Sequence, residues 1–383
     1  MKYLLILFLS SLLINSFNCS FQAKLFNKMN KAKEGENLII SPLSIFQALS
    51  LAANGAKGDT LLEMLDLLEA DSLDDLNDIN YEIISVAERF KTIDIANAVM
   101  SRFTPLKDFI AIAKKYLAPI EPLVSAEQVN DWCSNKTHGK IKKIIDILSE
   151  NTVMIILNAV YFKGAWTLQF ERELTKQLPF YNLGNTKTNV ETMTQIERFR
   201  YYGDKKVQAI ELGFWEDHMS ALIILPAEGT DINKYINTLS VSNDEYENIV
   251  KGLKRTKVRL QLPKFEVEFS DKLNQVLMDL GMYNAFDDSL ADFSGLRSEG
   301  GLFISKVIHK TYLKINEEGT EAAAVTAVMM DEAFIPGQEE KIIDMIVNRP
   351  FLFLLKNYEL PAGKDLLFMS KIEKIEQIND KKN

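Results

Sequence analysis

The chain has few of the residues that build metal sites and disulfide frameworks. Its 383 residues include three histidines and two cysteines. The histidines, His138, His218 and His309, are scattered with no metal-ligand spacing around them, so we expect no metal site. Cys19 and Cys133 are too few for the disulfide framework that stabilises small secreted domains. A metal-binding protein and a small domain stabilised by disulfides are therefore excluded.

An excess of basic side chains is also missing. The chain has 53 acidic and 44 basic residues, which gives a net charge of -9. Proteins that bind nucleic acids need a basic surface to neutralise phosphates. We therefore expect no nucleic-acid partner, although local basic patches remain open.

The motifs of common catalysts and cofactor sites are absent. The chain has no G-x-S-x-G, no Walker loop, no H-E-x-x-H and no C-x-x-C. Ser294 in "DFSGL" stands beside a glycine, as is typical of a turn rather than of a nucleophile. His309 lies in the strand-like run "ISKVIHKTYLKI", which favours a hydrogen-bonded core residue. The sequence predicts a protein that is not an enzyme and needs no cofactor.

The N-terminus, "MKYLLILFLSSLLINSFNCSFQAK", has the pattern of a secretory signal. Lys2 is followed by the apolar stretch Leu4 to Ile14 and then by small polar residues from Ser16 to Ser20. The apolar stretch is too short to span a bilayer. We predict that residues 1–20 are a signal peptide and that the protein is secreted into the extracellular space. The alternative is an apolar first helix of a cytosolic protein.

Two N-glycosylation sequons agree with export. Asn18 stands in N-C-S and Asn135 in N-K-T. Asn18 lies close to the expected signal cleavage site, so Asn135 is the sequon that remains in the mature chain.

Helical patterns come early in the chain and strand patterns later. Ser41-Pro42 is a helix-start signal, and apolar residues then recur at spacings of three and four. The strand patterns are "TVMIILNAVYFKGAW", "HMSALIILP", "TKVRLQLPKFEVEF", "PFLFLLKN" and "DLLFMSKIE". Because helices come early and strands later, the sequence predicts an α+β fold. No linker divides residues 21–383, so we expect them to form a single domain.

The segment "EEGTEAAAVTAVMMDEAF", Glu317 to Phe334, fits two secondary structures. As a helix it would begin with Thr320 as N-cap and continue through the alanines. As a strand it would present alternate small, uncharged residues from Thr320 onward to a tight slot. The residues alone leave both possibilities open.

The chain resembles a serpin from about Phe21 to its end. The matching motifs, in the order of the family, are "NLIISPLSI", "GAKGDT", "VNDW" with "THGKI", "LNAVYFKGAW", "LPKFEVE", "ADFSGL", "ISKVIHK", "INEEGTEAAA", "RPFLF" and "LFM". Each motif alone is weak, but together, in one order, they exclude a chance match. The resemblance implies about nine helices, three β-sheets and an exposed reactive loop at about residues 317–345, in a monomer.

The resemblance also implies a mechanism. A target serine protease attacks the loop as a substrate, and the cleaved loop then enters the central sheet as a new strand while the protease is held as a covalent acyl-enzyme. The alternative is a serpin whose loop never inserts, such as a carrier or a chaperone. Those relatives tend to have charged or bulky hinge residues. In this chain the implied hinge residues are small or short except for one glutamate: Glu317, Gly319, Thr320, Ala322, Ala323, Ala324 and Thr326.

A family count of seventeen residues from Glu317 places the reactive bond at Ala333-Phe334. Alanine suits an elastase-like pocket, and a shift of one residue would present Phe334 to a chymotrypsin-like pocket. Met330 is the third candidate. No basic residue lies between Glu317 and Gln338, which disfavours trypsin-like proteases as targets.

The resemblance assigns structural roles to further residues. The residues that match the polar "shutter" beneath the opening sheet are Ser41, Ser44, Asn158 and His309. Trp166 matches the "breach" at the top of that sheet, and Lys264 and Glu317 match a pair that holds the base of the loop. Without the resemblance we would interpret these residues as ordinary turns and exposed charges.

Heparin is not expected as a partner. Serpins that heparin regulates carry basic residues on the helix after "GAKGDT", whereas residues 61–78 here read "LLEMLDLLEADSLDDLND". That segment has seven acidic residues and neither lysine nor arginine, so it should repel a polyanion.

Overall fold

The computed structural model describes residues 20–89, 93–184, 186–215, 218–241, 245–320 and 341–376. These residues form nine α-helices and fourteen strands. The helices are α1 (Phe21–Ala32), α2 (Pro42–Ala53), α3 (Gly58–Leu68), α4 (Leu73–Arg89), α5 (Lys107–Lys115), α6 (Ala126–Lys136), α7 (Ile232–Val241), α8 (Glu245–Gly252) and α9 (Asn274–Asp279).

The strands form three sheets. They are β1 (Leu38–Ile40), β2 (Ile93–Ser101), β3 (Ile120–Pro122), β4 (Met154–Phe162), β5 (Lys176–Tyr181), β6 (Lys187–Gly203), β7 (Val207–Gly213), β8 (Met219–Pro226), β9 (Lys254–Pro263), β10 (Phe265–Lys272), β11 (Ile308–Ile315), β12 (Ile343–Ile346), β13 (Phe351–Asn357) and β14 (Leu366–Ile372). The largest sheet has the order β1-β14-β13-β8-β7-β6-β9-β12, with β5 beside β6. The other two are β3-β2-β4 and β10-β11. The prediction of an α+β fold with about nine helices and three sheets is confirmed.

Helix α2 begins where the sequence predicted. Ser41 is its N-cap, and the Ser41 hydroxyl accepts a hydrogen bond from the backbone N–H of Ser44 at 3.3 Å. Pro42 follows at the first helical position, where a missing N–H costs nothing. The helix packs against both β4 and β14, and eleven of its residues are buried. It thereby joins the large sheet to the three-stranded one.

The predicted strands at the centre of the large sheet form its core. Every residue of β8, β13 and β14 is buried. A strand that is covered on both faces needs apolar residues at successive positions. These segments therefore lack the alternation of a half-exposed strand. A smaller apolar cluster lies under α6, where Val129 packs with Met100 and Leu157 of the three-stranded sheet.

Strands β4 and β11 each have one edge without a strand partner among the described residues. Strand β4 pairs antiparallel with β2 on one side, and β11 pairs antiparallel with β10 on one side. Within the described ranges nothing pairs with the second edge of β4 or of β11. An open edge is a template for another strand.

The described residues include neither a helix that could span a membrane nor a cluster of metal ligands. None of the helices in these ranges is long and apolar enough to cross a bilayer. No group of three or more metal-ligating side chains was found in the same residues.

Candidate functional site

The chain reverses direction immediately after β11. The N–H of Asn316 donates to the carbonyl of Gly319 at 2.9 Å, and the N–H of Gly319 donates back to Asn316 at 3.2 Å. Gly319 also forms an antiparallel bridge with Ala165, which lies just beyond the end of β4. This turn aims the chain back between the ends of β4 and β11.

Only glycine can occupy position 319. Its φ of +137° is a conformation that side chains disfavour, and a Cβ there would lie 2.1 Å from the carbonyl oxygen of Gly164. The turn between Asn316 and Gly319 therefore depends on this one residue.

Thr320 is the last described residue before residue 341, and its side chain is 3% exposed. Its N–H donates to the carbonyl of Gly164 at 3.0 Å, and its hydroxyl accepts the N–H of Gly164 at 2.8 Å. The hydroxyl also lies 3.3 Å from the Gly164 carbonyl, which can accept its proton. The short side chain of Thr320 thus pairs with both backbone polar groups of Gly164.

Trp166 fixes the turn from the side of β4. Its indole N–H donates to the carbonyl of Asn316 at 3.0 Å, and its backbone N–H donates to the carbonyl of Glu318 at 2.9 Å. Its ring stacks on Phe214 with centroids 4.4 Å apart and is 1% exposed. The residue matched to the breach therefore touches the base of the loop directly.

Lys264 and Glu317 form the predicted pair, with Nζ and Oε1 3.4 Å apart. Lys264 also contacts Glu191 at 3.0 Å, and the hydroxyl of Thr175 donates to Glu317 at 2.8 Å. Burial raises the pKa of Glu317, but its own backbone N–H, the Thr175 hydroxyl and the charge of Lys264 outweigh that effect. The pKa of Glu317 is therefore lowered overall. The carboxylate stays ionised and holds the base of the loop.

The four residues matched to the shutter lie together where α2 meets the edges of β4 and β11. The backbone N–H of Ser41 donates to Nε2 of His309 at 3.0 Å. The hydroxyl of Ser44 donates to Oδ1 of Asn158. Asn158 is in the middle of β4 and His309 is in β11, so the cluster spans the space between the two open edges.

Several residues of the site were not found from the sequence. The amide of Asn158 donates to Asn97 of β2 at 2.6 Å and to Gln47 of α2 at 3.3 Å. Arg172 forms an ion pair with Glu318 in the turn. Asn97 interrupts the apolar strand "IDIANAVMS", and a polar residue buried in such a strand is the one signal that could have identified it.

Burial of His309 makes stability depend on pH. Burial lowers the pKa of His309 to about 3, so the folded protein keeps the imidazole neutral while the unfolded chain protonates it near pH 6.5. Because the unfolded state binds the extra proton, stability is complete above that pH and falls as the pH drops towards 3. Between pH 7 and pH 5 the expected loss is about 2 kcal/mol.

The measurement is denaturant unfolding of the wild type and His309→Gln at both pH values. The glutamine carbonyl can still accept the Ser41 N–H but does not titrate. We expect the wild type to lose about 2 kcal/mol more than the variant on acidification. Equal losses in the two proteins would contradict a buried neutral His309.

Other predicted residues lie outside the described ranges. These are residues 1–19 with Asn18, the hinge residues Ala322, Ala323, Ala324 and Thr326, the reactive bond Ala333-Phe334, and Met330. Asn135 is exposed in the last turn of α6, whereas the Thr137 of its sequon is buried and donates its hydroxyl proton to Cys133.

Comparisons with known proteins find relatives along nearly the whole chain. Residues 16–375 match the sequence profile of the family described as serpin (serine protease inhibitor). The chain is 34% identical to the intracellular coagulation inhibitor 2 of Tachypleus tridentatus, over 94% of this chain and 90% of that protein. It is 31% identical to the leukocyte elastase inhibitor of Xenopus tropicalis, over 92% of this chain and 96% of that protein.

Two solved structures match over nearly the full length. The native state of the thermophilic serpin tengpin superposes with a TM-score of 0.82 at 31% identity, covering 94% of each chain. Thyroxine-binding globulin in complex with thyroxine has a TM-score of 0.80 at 25% identity, covering 94% of this chain and 98% of that one. From its sequence, its fold and these relatives, the chain belongs to the serpin family.

Proposed function

We propose that the protein inhibits a serine protease by acting as its suicide substrate. The protease serine attacks the carbonyl of Ala333 and forms an acyl-enzyme, and the cleaved loop then inserts as a strand between β4 and β11. The observation that carries this proposal is the position of Thr320, buried and paired with Gly164 at the point where the chain turns back towards the two open strand edges. The protein itself carries out no catalysis.

The residues after Thr320 are also compatible with insertion of the loop between β4 and β11. The residues from Ala322 to Ala327 are alanine, valine and threonine, so none brings a charge or a long side chain into the slot. A charged side chain that enters a packed slot without a partner costs several kcal/mol. A loop of this composition is compatible with fast insertion.

Insertion disables the protease by displacement. The segment from Thr320 to Ala333 would travel on the order of 45 Å at about 3.3 Å per residue as it becomes a strand. The acyl ester moves with it and draws the catalytic serine out of its oxyanion hole. Water then cannot complete the second half of the reaction, since deacylation needs the same preorganised site as acylation.

The target is proposed to have an elastase- or chymotrypsin-like pocket. Alanine at position 333 fits a small pocket, and Phe334 is one residue away. The similarity to a leukocyte elastase inhibitor supports the first class. Asp331 and Glu332 should disfavour proteases whose subsites are negative.

The test is a denaturing gel after mixing the protein with neutrophil elastase, chymotrypsin or subtilisin. We expect a covalent complex that survives denaturation with at least one of the three. Complete cleavage of the loop without a complex, with all three proteases, would overturn the proposal. It would favour the carrier role of a protein like thyroxine-binding globulin, the similarity that supports this second candidate.

We also propose that the protein is exported as a monomer after removal of the N-terminal signal, and glycosylated at Asn135. The hydroxyl of Ser20 accepts the N–H of Ala23 and caps α1, and Ser20 is 2% exposed. Cleavage after Ser20 would remove this cap at a cost of about 1 kcal/mol, whereas cleavage one residue earlier would keep it. N-terminal sequencing of the protein from the medium distinguishes the two sites. An uncut chain that stays in the cells would show that the signal is not used.

Heparin should change the inhibition rate little through the segment 61–78. Asp66, Asp71, Asp74, Asp75 and Asp78 are all exposed there, so a polyanion meets repulsion. The measurement is the second-order rate constant of inhibition with and without heparin at physiological salt. A rise of about a hundredfold or more, as large as the strongest electrostatic effects on association, would contradict the prediction and direct attention to Lys140, Lys142 and Lys143.

A further inference from the structure

A cavity of about 770 Å³ lies at the surface between α5 and the ends of β2 and β3. Its walls are the turn that follows β2, one side of α5 and the link from α5 into β3. Apolar side chains make up most of the lining, among them Phe103, Pro105, Ile110, Leu117 and Ile120. A concave, mainly apolar cavity of about 300–1,000 Å³ is typical of sites for small molecules.

Leu117 has an unfavourable backbone conformation beside this cavity. Its φ is +51°, which lies in the left-handed region. It directly follows Tyr116, the C-cap of α5, and the N–H of Ala118 donates back to the carbonyl of Ala113 at 2.8 Å. Helices that end in this way usually have glycine in the left-handed position, because a side chain there crowds the backbone. This chain has a leucine there instead.

The side chain of Leu117 is also poorly placed for the isolated protein. It is 53% exposed, although it is large and apolar. A glycine at this position would relieve the backbone and remove the exposed apolar surface. Backbone strain of this kind is concentrated at sites that hold ligands. A ligand in the cavity would cover Leu117 and take its side chain out of water.

The charges around the cavity indicate the sign of such a ligand. Three charged side chains line it: Arg102, Lys114 and Glu121. Arg102 is fixed in position, because its guanidinium donates to the carbonyl of Glu150 at 2.8 Å. Two cations and one carboxylate leave a net charge of +1 on the lining. A ligand with one negative group therefore meets a complementary charge, whereas a cation does not.

Strand β3 makes an extended peptide a poor occupant of the cavity. β3 pairs with β2 along one edge, and its other edge has no strand partner among the described residues. However, β3 has only three residues, and the last of them, Pro122, has no N–H to donate. Short edge strands that contain proline resist the addition of another strand. The cavity therefore favours a small molecule.

We propose that this cavity binds a small amphipathic anion, with an apolar body and a single carboxylate, such as a fatty acid. The apolar body lies against Ile110 and Leu117, and the carboxylate lies beside Arg102 and Lys114. Binding at this site requires neither cleavage nor insertion of the reactive loop. The proposal therefore stands whether or not the protein inhibits a protease.

The test is isothermal titration calorimetry of the intact protein with decanoate, below the concentration at which decanoate forms micelles. Decyltrimethylammonium is the matched ligand, since it has the same chain and the opposite charge. Lys114→Gln removes one cation of the lining, and Leu117→Gly removes the strained side chain. The matched controls are Lys115→Gln, whose amine lies over the ring of Tyr81 and not in the cavity, and Ile147→Gly, at a position that is 81% exposed.

We expect one decanoate to bind per chain, and decyltrimethylammonium to bind at least about tenfold more weakly. Lys114→Gln should weaken decanoate binding about fivefold, as expected for the loss of one exposed ion pair. Leu117→Gly should weaken it about tenfold, because a large apolar contact is lost. The midpoint of thermal unfolding of Leu117→Gly should not fall, since glycine adopts a φ of +51° without strain. Both controls should bind decanoate as the wild type does.

No saturable heat of binding with decanoate up to about 1 mM would overturn the proposal and leave the cavity to a macromolecular partner. Equal binding of decanoate and decyltrimethylammonium would also overturn it, because the cations of the lining would then have no role. A lower unfolding midpoint of Leu117→Gly with unchanged decanoate binding would show that Leu117 stabilises the end of α5 and does not contact a ligand.

Discussion

Replacing Thr320 with arginine should turn the inhibitor into a substrate. The Thr320 side chain is 3% exposed and lies against the backbone of Gly164, where the polar groups already have partners. An arginine there would place an unpaired cation in a closed slot, at a cost of several kcal/mol. Trapping and hydrolysis compete, so slowing insertion by about 3 kcal/mol shifts the outcome roughly a hundredfold towards hydrolysis.

The measurement is the stoichiometry of inhibition, together with the initial rate of loop cleavage. Thr320→Arg should be cleaved at about the wild-type rate, because the reactive bond is unchanged, yet leave almost no covalent complex. Thr320→Ser is the matched control, since it keeps the hydroxyl that accepts the Gly164 N–H. A covalent complex from Thr320→Arg at the wild-type stoichiometry would show that a short, buried side chain beside Gly164 is not needed for insertion of the loop.

Cleavage of the loop should raise the thermal stability of the wild-type protein substantially. A strand inserted between β4 and β11 would satisfy both open edges with roughly ten new backbone hydrogen bonds of about 1 kcal/mol each. At about 2 °C per kcal/mol for a protein of this size, the midpoint of thermal unfolding should rise on the order of 20 °C. The gain is possible because the intact protein is held kinetically in a state above its lowest free energy.

Thr320→Arg separates insertion from cleavage itself. The cleaved variant should gain much less stability than the cleaved wild type, because an arginine cannot keep the place of Thr320 beside Gly164 from which the new strand continues. Scanning calorimetry gives the midpoint of thermal unfolding for each of the two proteins, intact and cleaved. An unchanged midpoint in the wild type after complete cleavage would mean that the open edges of β4 and β11 do not receive the loop.

Local signals in the sequence predicted much of the fold and part of the site. The start of α2 at Pro42 follows from Ser41 and Pro42 alone, because capping is decided within one turn of helix. The strands β8 and β13 were recognisable because burial on both faces leaves an unbroken apolar run. The resemblance placed Gly319 in the hinge, and the structure gives it a φ that disfavours other residues.

Contacts between distant segments were not predictable in the same way. Asn97 and Asn158 are 61 residues apart, and their hydrogen bond exists only because β2 and β4 pair in one register. The like-charge neighbours Arg198–Lys257 and Arg200–Arg255 likewise arise from the register of β6 against β9. The alternation of buried and exposed residues within each strand indicates which side chains share a face, but it does not tell which residue of β9 lies opposite a given residue of β6.

The polar residues around His309 could be predicted to lie together only from the resemblance to serpins, and not from the residue pattern itself. Serine at a helix start and histidine in a strand are individually ordinary. Only the fold brings the Ser41 N–H to His309 across 268 residues and buries the imidazole enough to lower its pKa to about 3. Tertiary burial of this kind has no signature in a short stretch of sequence.

Hydrogen–deuterium exchange on the covalent protease complex tests insertion of the loop between β4 and β11 most directly. Amides of β4 (Met154–Phe162) and β11 (Ile308–Ile315) that face the open edges should exchange at least about tenfold more slowly in the complex than in the intact protein, because each gains a backbone partner. The central strand β8 (Met219–Pro226), already buried throughout, is the internal control and should not change. Unchanged exchange in β4 and β11, in a sample that is fully covalent complex, would contradict the account.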